Sequence, residues 1–135
     1  MELNDYQEAA ISTCLPSSDN LVYMTCGLQE EVGELNGKIA KAIRKGIIII
    51  QQNKILFAPD ATDEQRKEFI DSVCKELGDV LWMVAGLSNV FGFPLEYVGN
   101  TNLLKLAARK AAGTINGAGD GISGADRMSF DKQNK

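Results

Sequence analysis

The sequence predicts an all-α, four-helix-bundle-like domain over residues 1–113, carrying a short β-hairpin at about 47–58 and followed by a Gly-rich tail at 114–135. Three observations predict it. Apolar residues recur at helical spacing along two long stretches. A glycine follows each of the last three periodic runs, at Gly46, Gly92 and Gly113. Two β-branched runs flank a polar turn between the long stretches.

Asn4 with Gln7 reads as a capping box opening a first helix to about Cys14, broken by Pro16, Ser17 and Ser18. A second helix starts near Asp19 or Asn20 and runs to Lys45. Lys41, Arg44 and Lys45 in its last turns suit the negative end of the helix dipole. Ile47–Ile50 and Ile55–Ala58 around Gln51–Lys54 form the hairpin, closed by Pro59 and Asp60. The rival reading is an irregular apolar insertion packed on a partner chain. Thr62 with Gln65 caps a third helix to about Phe91. Pro94 suits the first turn of a fourth helix ending near Ala112.

The chain has 135 residues and a net charge of −4, which argues against a nucleic-acid-coating protein. The longest apolar run falls far short of the roughly 20 residues of a membrane span, and no signal-peptide pattern opens the chain. Cytoplasmic placement is expected. Cys14, Cys26 and Cys74, an odd number without CxxC spacing, read as free thiols packed as small apolar side chains. The absence of His excludes His-based zinc sites, Ser-His-Asp triads and the ExxH di-iron motif. Any metal chemistry must rest on carboxylates, which favour hard cations.

Two segments supply such carboxylates in matching form. Glu31 and Glu34 lie three apart with Gly33 between them, and Glu76 and Asp79 lie three apart with Gly78 between them. On a helix these spacings put each pair side by side. Met24, Leu28, Leu35, Ile39 and Ala42 form the apolar stripe of the second helix. Phe69, Val73, Leu77, Val80, Val84 and Leu87 form that of the third. Both acid pairs edge their stripe, so packing stripe on stripe brings four carboxylates to one border, with Gly33 and Gly78 allowing close backbone approach. Such crowding is tolerable with divalent cations between the acids. Solvated surface acids, with Glu34 and Lys38 as a routine i,i+4 pair, are the plainer alternative.

At these residues the chain resembles the MazG-like branch of the all-α NTP pyrophosphohydrolases, whose fold is of the MazG and dimeric-dUTPase type. The match is Glu30-Glu31-x-x-Glu34 with Glu76-x-x-Asp79. It extends over Asp5-Tyr6-Gln7, Leu77 to Trp82, Asn102 to Arg109 and Gly117 to Asp120. Residues 47–68 lengthen the family's usual spacing between the two acidic motifs.

The resemblance implies a nucleotide substrate cut to monophosphate and pyrophosphate by metal-activated water attack at the α-phosphate. It implies Mg2+, with Mn2+ able to substitute, two or three ions per site, held by Glu31, Glu34, Glu76 and Asp79. Glu30 and Glu31 would be catalytic. Lys38, Asn102, Lys105 and Arg109 would contact phosphates; the last three also share a helix face at i, i+3, i+7. It further implies a homodimer or homotetramer with composite sites, in a host cytoplasm for a phage-encoded member.

Base-binding candidates are Gln7, Ile11, Asn20 and Trp82, with Trp82 as core the competing reading. A purine such as dGTP or GTP is the first substrate expectation, with dCTP or dUTP as rival. The alternative function is a non-catalytic helical interaction or nucleotide-binding module. Neither nucleic acid nor membrane is an expected partner.

Overall fold

The computed structural model describes residues 1–115. It contains α1 (Leu3–Ile11), α2 (Leu21–Arg44), β1 (Ile48–Gln51), β2 (Lys54–Phe57), α3 (Asp63–Val90) and α4 (Leu95–Ala111). The chain divides into two units, 1–98 and 99–135. The all-α class and the short hairpin are both borne out. The expectation for the tail falls almost wholly outside the described residues, as do Gly117 to Asp120.

Local chemistry sets the boundaries. Asn20 Oδ1 accepts from Tyr23 N at 2.9 Å and caps α2. Gly46, at φ +66°, ends it: Ile47 N donates to Ala42 O and Gly46 N to Ile43 O, the paired bonds of a Schellman stop. Gly92, at φ +72°, ends α3 in the same way. Thr62 and Gln65 exchange side-chain and backbone bonds as the capping box of α3.

The first helix departs from expectation. It begins two residues earlier, capped at Glu2, with Glu2 N donating to Asp5 Oδ2. Asn4 and Gln7 serve a different helix. Gln7 Oε1 accepts from Leu95 N at 2.8 Å, and Asn4 Oδ1 accepts from Glu96 N at 3.0 Å. The two first-turn N–H groups of α4 are thus satisfied by side chains of α1, a long-range cap in place of a local one.

The hairpin pairs Ile48 with Phe57 through Gln51 with Lys54, antiparallel. Its turn is the two residues Gln52 and Asn53, both at positive φ as a type I′ turn requires. Ile48 is fully buried and anchors the hairpin, whereas Ile49, Ile50, Ile55 and Leu56 are exposed. Phe57 meets the Phe69 ring edge-on, and the Arg66 guanidinium lies over Phe57.

The contact of α2 with α3 is built on a reciprocal exchange of small and large residues. Met83 fills the space beside Gly27, and Met24 fills the space beside Gly86. A Cβ on Gly27 would meet Met83 Cε at 2.5 Å, and one on Gly86 would collide with Met24 Sδ. This corrects the expectation for Gly33 and Gly78, where an added Cβ meets nothing within 4 Å. The face of α3 turned inward is also rotated from the expected stripe. Glu76 is buried, while Leu77 is half exposed. The helix follows the Gly–Met interlock, whose face carries residues 76, 83 and 86, and Leu77 is carried outward.

A second packing centre joins Ala10, Ala85 and Leu95, with Tyr6, Trp82 and Val84 against it. No cysteine among the described residues is paired: Cys14 is half buried, and Cys26 and Cys74 are exposed on the outer helix faces, contrary to the expectation that all three pack inside.

Candidate metal and phosphate site

The Gly–Met interlock fixes the register of α2 against α3, and that register positions the acids. Met24 opposes Gly86, and Gly27 opposes Met83. Seven residues on in α2 stand Glu31 and Glu34; seven residues back in α3 stand Asp79 and Glu76. Two helical turns return to nearly the same face, so the antiparallel pair presents Glu31 toward Asp79 and Glu34 toward Glu76.

Carboxylate oxygens of Glu31, Glu34 and Glu76 lie within 4.8 Å of one another. Asp79 falls outside that set but close enough to act on Glu31. Burial raises the Glu31 pKa above its usual 4.5, and the charges of Asp79, Glu34, Glu30 and Glu76 raise it further. Tyr6 is affected too: burial, then Asp79, raises its phenol pKa. Glu34 and Asp79 are exposed, Glu31 is half buried, and Glu76 is buried. Glu30 is exposed one residue before Glu31.

Lys38 meets Glu76 rather than pairing only along its own helix: its Nζ lies 3.0 Å from Glu76 Oε1. That bond and the Glu76 charge raise the Lys38 pKa above its usual value, against a small opposing effect of burial. An all-oxygen donor set converging from two helices fits a hard divalent cation such as Mg2+. The crowding that lifts the Glu31 pKa is what such an ion would relieve.

The remaining candidates are distributed differently. Asn102, Lys105 and Arg109 lie on α4 in the second unit, Asn102 and Lys105 exposed and Arg109 half buried. Gln7 and Ile11 line a cavity of about 530 Å³ with Asn4, Asn89, Phe93 and Pro94. The Gln7 amide is committed to backbone, donating to Phe93 O at 3.0 Å and accepting from Leu95 N. Asn20 is the cap of α2 and also donates to Ser17 O. The Trp82 indole N–H donates to Ala10 O and Thr13 Oγ1, both at 3.1 Å, and its ring packs in the second centre.

Sequence reasoning missed two features. Tyr6 next to Asp79 carries no spacing signal, because α1 reaches the site only through tertiary packing. Lys41 and Lys45 extend Lys38 at i, i+3, i+7, a periodicity that was readable on α2.

Residues 21–113 match the family described as the MazG nucleotide pyrophosphohydrolase domain. The chain is similar to the Gene 37 protein of Mycobacterium phage L5, with 36% identity over 128 residues, covering 89% of this chain and 98% of that protein. No solved structure matches it.

Proposed function

The chain belongs to the MazG nucleotide pyrophosphohydrolase family, and from that premise we propose that it hydrolyses a nucleoside triphosphate to the monophosphate and pyrophosphate with Mg2+. The observation that carries the proposal is the convergence of Glu31, Glu34 and Glu76 oxygens within 4.8 Å from two helices.

In this reading Glu31, Glu34, Glu76 and Asp79 hold two or three Mg2+ ions. Bound there, such ions would neutralise phosphate charge and lower the barrier to water attack. Glu30 orients the attacking water and takes its proton on a carboxylate oxygen. The water oxygen bonds to the α-phosphorus. The bond from that phosphorus to the α–β bridging oxygen breaks, and pyrophosphate leaves with the electron pair. Lys38 exchanges its bond with Glu76 for a phosphate oxygen; Asn102, Lys105 and Arg109 are carried as phosphate contacts by the family resemblance alone. The cavity bordered by Gln7 and Ile11 is of nucleoside size. It is the proposed base pocket, with a purine such as dGTP or GTP ahead of dCTP or dUTP.

A homodimer or homotetramer is part of the same proposal. Ile70, Cys74, Leu77 and Leu81 leave an exposed apolar row on α3 at spacings of four, three and four, the pattern of a helix–helix seam. Among the described residues no single helix is long and apolar enough to cross a membrane. The phage relative motivates placement in a host cytoplasm.

The test is a panel of ribo- and deoxynucleoside triphosphates, each incubated with Mg2+ or Mn2+ and the products identified. Monophosphate with pyrophosphate is expected, and Glu31→Gln, Glu34→Gln and Glu76→Gln should each lower the rate at least about a hundredfold. Folded variants that retain the wild-type rate would remove these acids from the mechanism.

A further inference from the structure

We infer that the groove between the C-terminal half of α2 and the N-terminal half of α3 is a separate binding site for pyrophosphate. Lys38 and Lys41 of α2 and Lys45 just past its end line one side, and Gln65, Glu68 and Phe69 of α3 the other. With the Lys38 charge matched by Glu76, Lys41 and Lys45 face Glu68 there, a local charge of +1 in a chain of net −4. Lys38 is bound to Glu76, but Lys41 and Lys45 carry no ion pair among the described residues. Their clustering beyond the acids is a focused positive field at short range.

The size of the groove restricts its ligand. Its volume of about 150 Å³ is well below the roughly 300 Å³ at which nucleoside-sized pockets begin. It is sized for a small anion rather than for a whole nucleotide. Gln65 Oε1 is taken by Thr62 N, which leaves the amide N–H pair to donate to an anion. Two linked phosphate groups match a row of ammonium groups one turn apart better than a single tetrahedral anion does. Lys38 faces both the acid cluster and this groove, so the groove begins where the reaction's leaving group would emerge. The assignment of the anion as that leaving group rests on the function proposed above; the binding site does not.

The test uses the full chain stripped of metal and titrated with sodium pyrophosphate in a calorimeter, with sodium sulfate at matched ionic strength as the comparison. Saturable pyrophosphate binding is expected, weakened about tenfold or more in Lys41→Ala/Lys45→Ala and tightened about threefold in Glu68→Gln. Sulfate should bind far more weakly. Wild-type affinity in a Lys41→Ala/Lys45→Ala protein of normal helix content overturns the site, as does sulfate binding as tightly as pyrophosphate. A chain that binds pyrophosphate in this way but hydrolyses no triphosphate would retain the groove and refute the proposed activity.

Discussion

Lys38 Nζ lies 3.0 Å from Glu76 Oε1, so the most buried acid of the cluster has one of the chain's own cations beside it. An ionised carboxylate in that position costs free energy unless a positive charge stands beside it. Lys38→Met should therefore lower the melting midpoint of the metal-free protein, and Mn2+ should recover most of the loss by replacing the ammonium. The Lys38 pKa is raised by the Glu76 bond, so this stabilisation is fully present below pH 10.5 and fades as pH climbs through the folded value. Melting curves with and without Mn2+ check the first point, and an alkaline titration of stability the second.

Glu31 should behave in the opposite sense. Its folded pKa lies above the usual 4.5, first through burial and then through Asp79 and the other acids. Below pH 4.5 the group is protonated in both folded and unfolded chains and costs nothing. As pH rises above 4.5 the unfolded chain ionises before the folded one, and the penalty grows until pH passes the folded value. Glu31→Gln should raise the metal-free melting midpoint at pH 7, leave it nearly unchanged at pH 4, and remove much of the stabilisation by Mn2+. Equal effects at both pH values would show that Glu31 feels no crowding.

The two kinds of helix glycine should separate in a stability measurement. Gly27→Ala drives a methyl into Met83 and should cost about 1–3 kcal/mol, less whatever helix propensity returns. Met83→Val in the same chain should restore part of that loss. Gly33→Ala and Gly78→Ala meet nothing within 4 Å and should stabilise the protein by about 0.5–1 kcal/mol each. Urea unfolding of the four variants reads these signs directly.

Gln7→Ala should destabilise the chain by about 1–2 kcal/mol, because Leu95 N and Phe93 O lose their partner together. Asn4→Ala should cost about 1 kcal/mol through Glu96 N. Both values come from chemical denaturation. A loss of substrate discrimination in Gln7→Ala without a loss of stability would instead assign its amide to base recognition.

Helix boundaries were readable because they are local. Gly46, Gly92 and the Thr62–Gln65 box act through neighbours within a few residues, and the structure uses each as expected. That the acids of the two repeats would gather at one border was readable from their spacing, since each pair edges a helix face that packs on the other helix; Glu31, Glu34 and Glu76 do gather there. The face of α3 was not. Counting apolar residues placed Leu77 inside, but the Gly27–Met83 and Met24–Gly86 interlock sets the rotation and buries Glu76 instead. Small residues score weakly in an apolar pattern, although they decide how near two helices come. Asn4 and Gln7 show the same limit: their three-residue spacing suggested a cap, and only the tertiary structure reveals which helix they cap.

The Gln7–Leu95 bond spans 88 positions of sequence. A chain emerging from the ribosome exposes Gln7 early and must wait for nearly the whole domain before Leu95 arrives to meet it. Closing so wide a loop has a large entropic cost and comes late in folding. The contact of α1 with Leu95 and Glu96 at the start of α4 is therefore the natural place to fray, and hydrogen exchange at those two residues should report that opening before the α2–α3 interlock loosens.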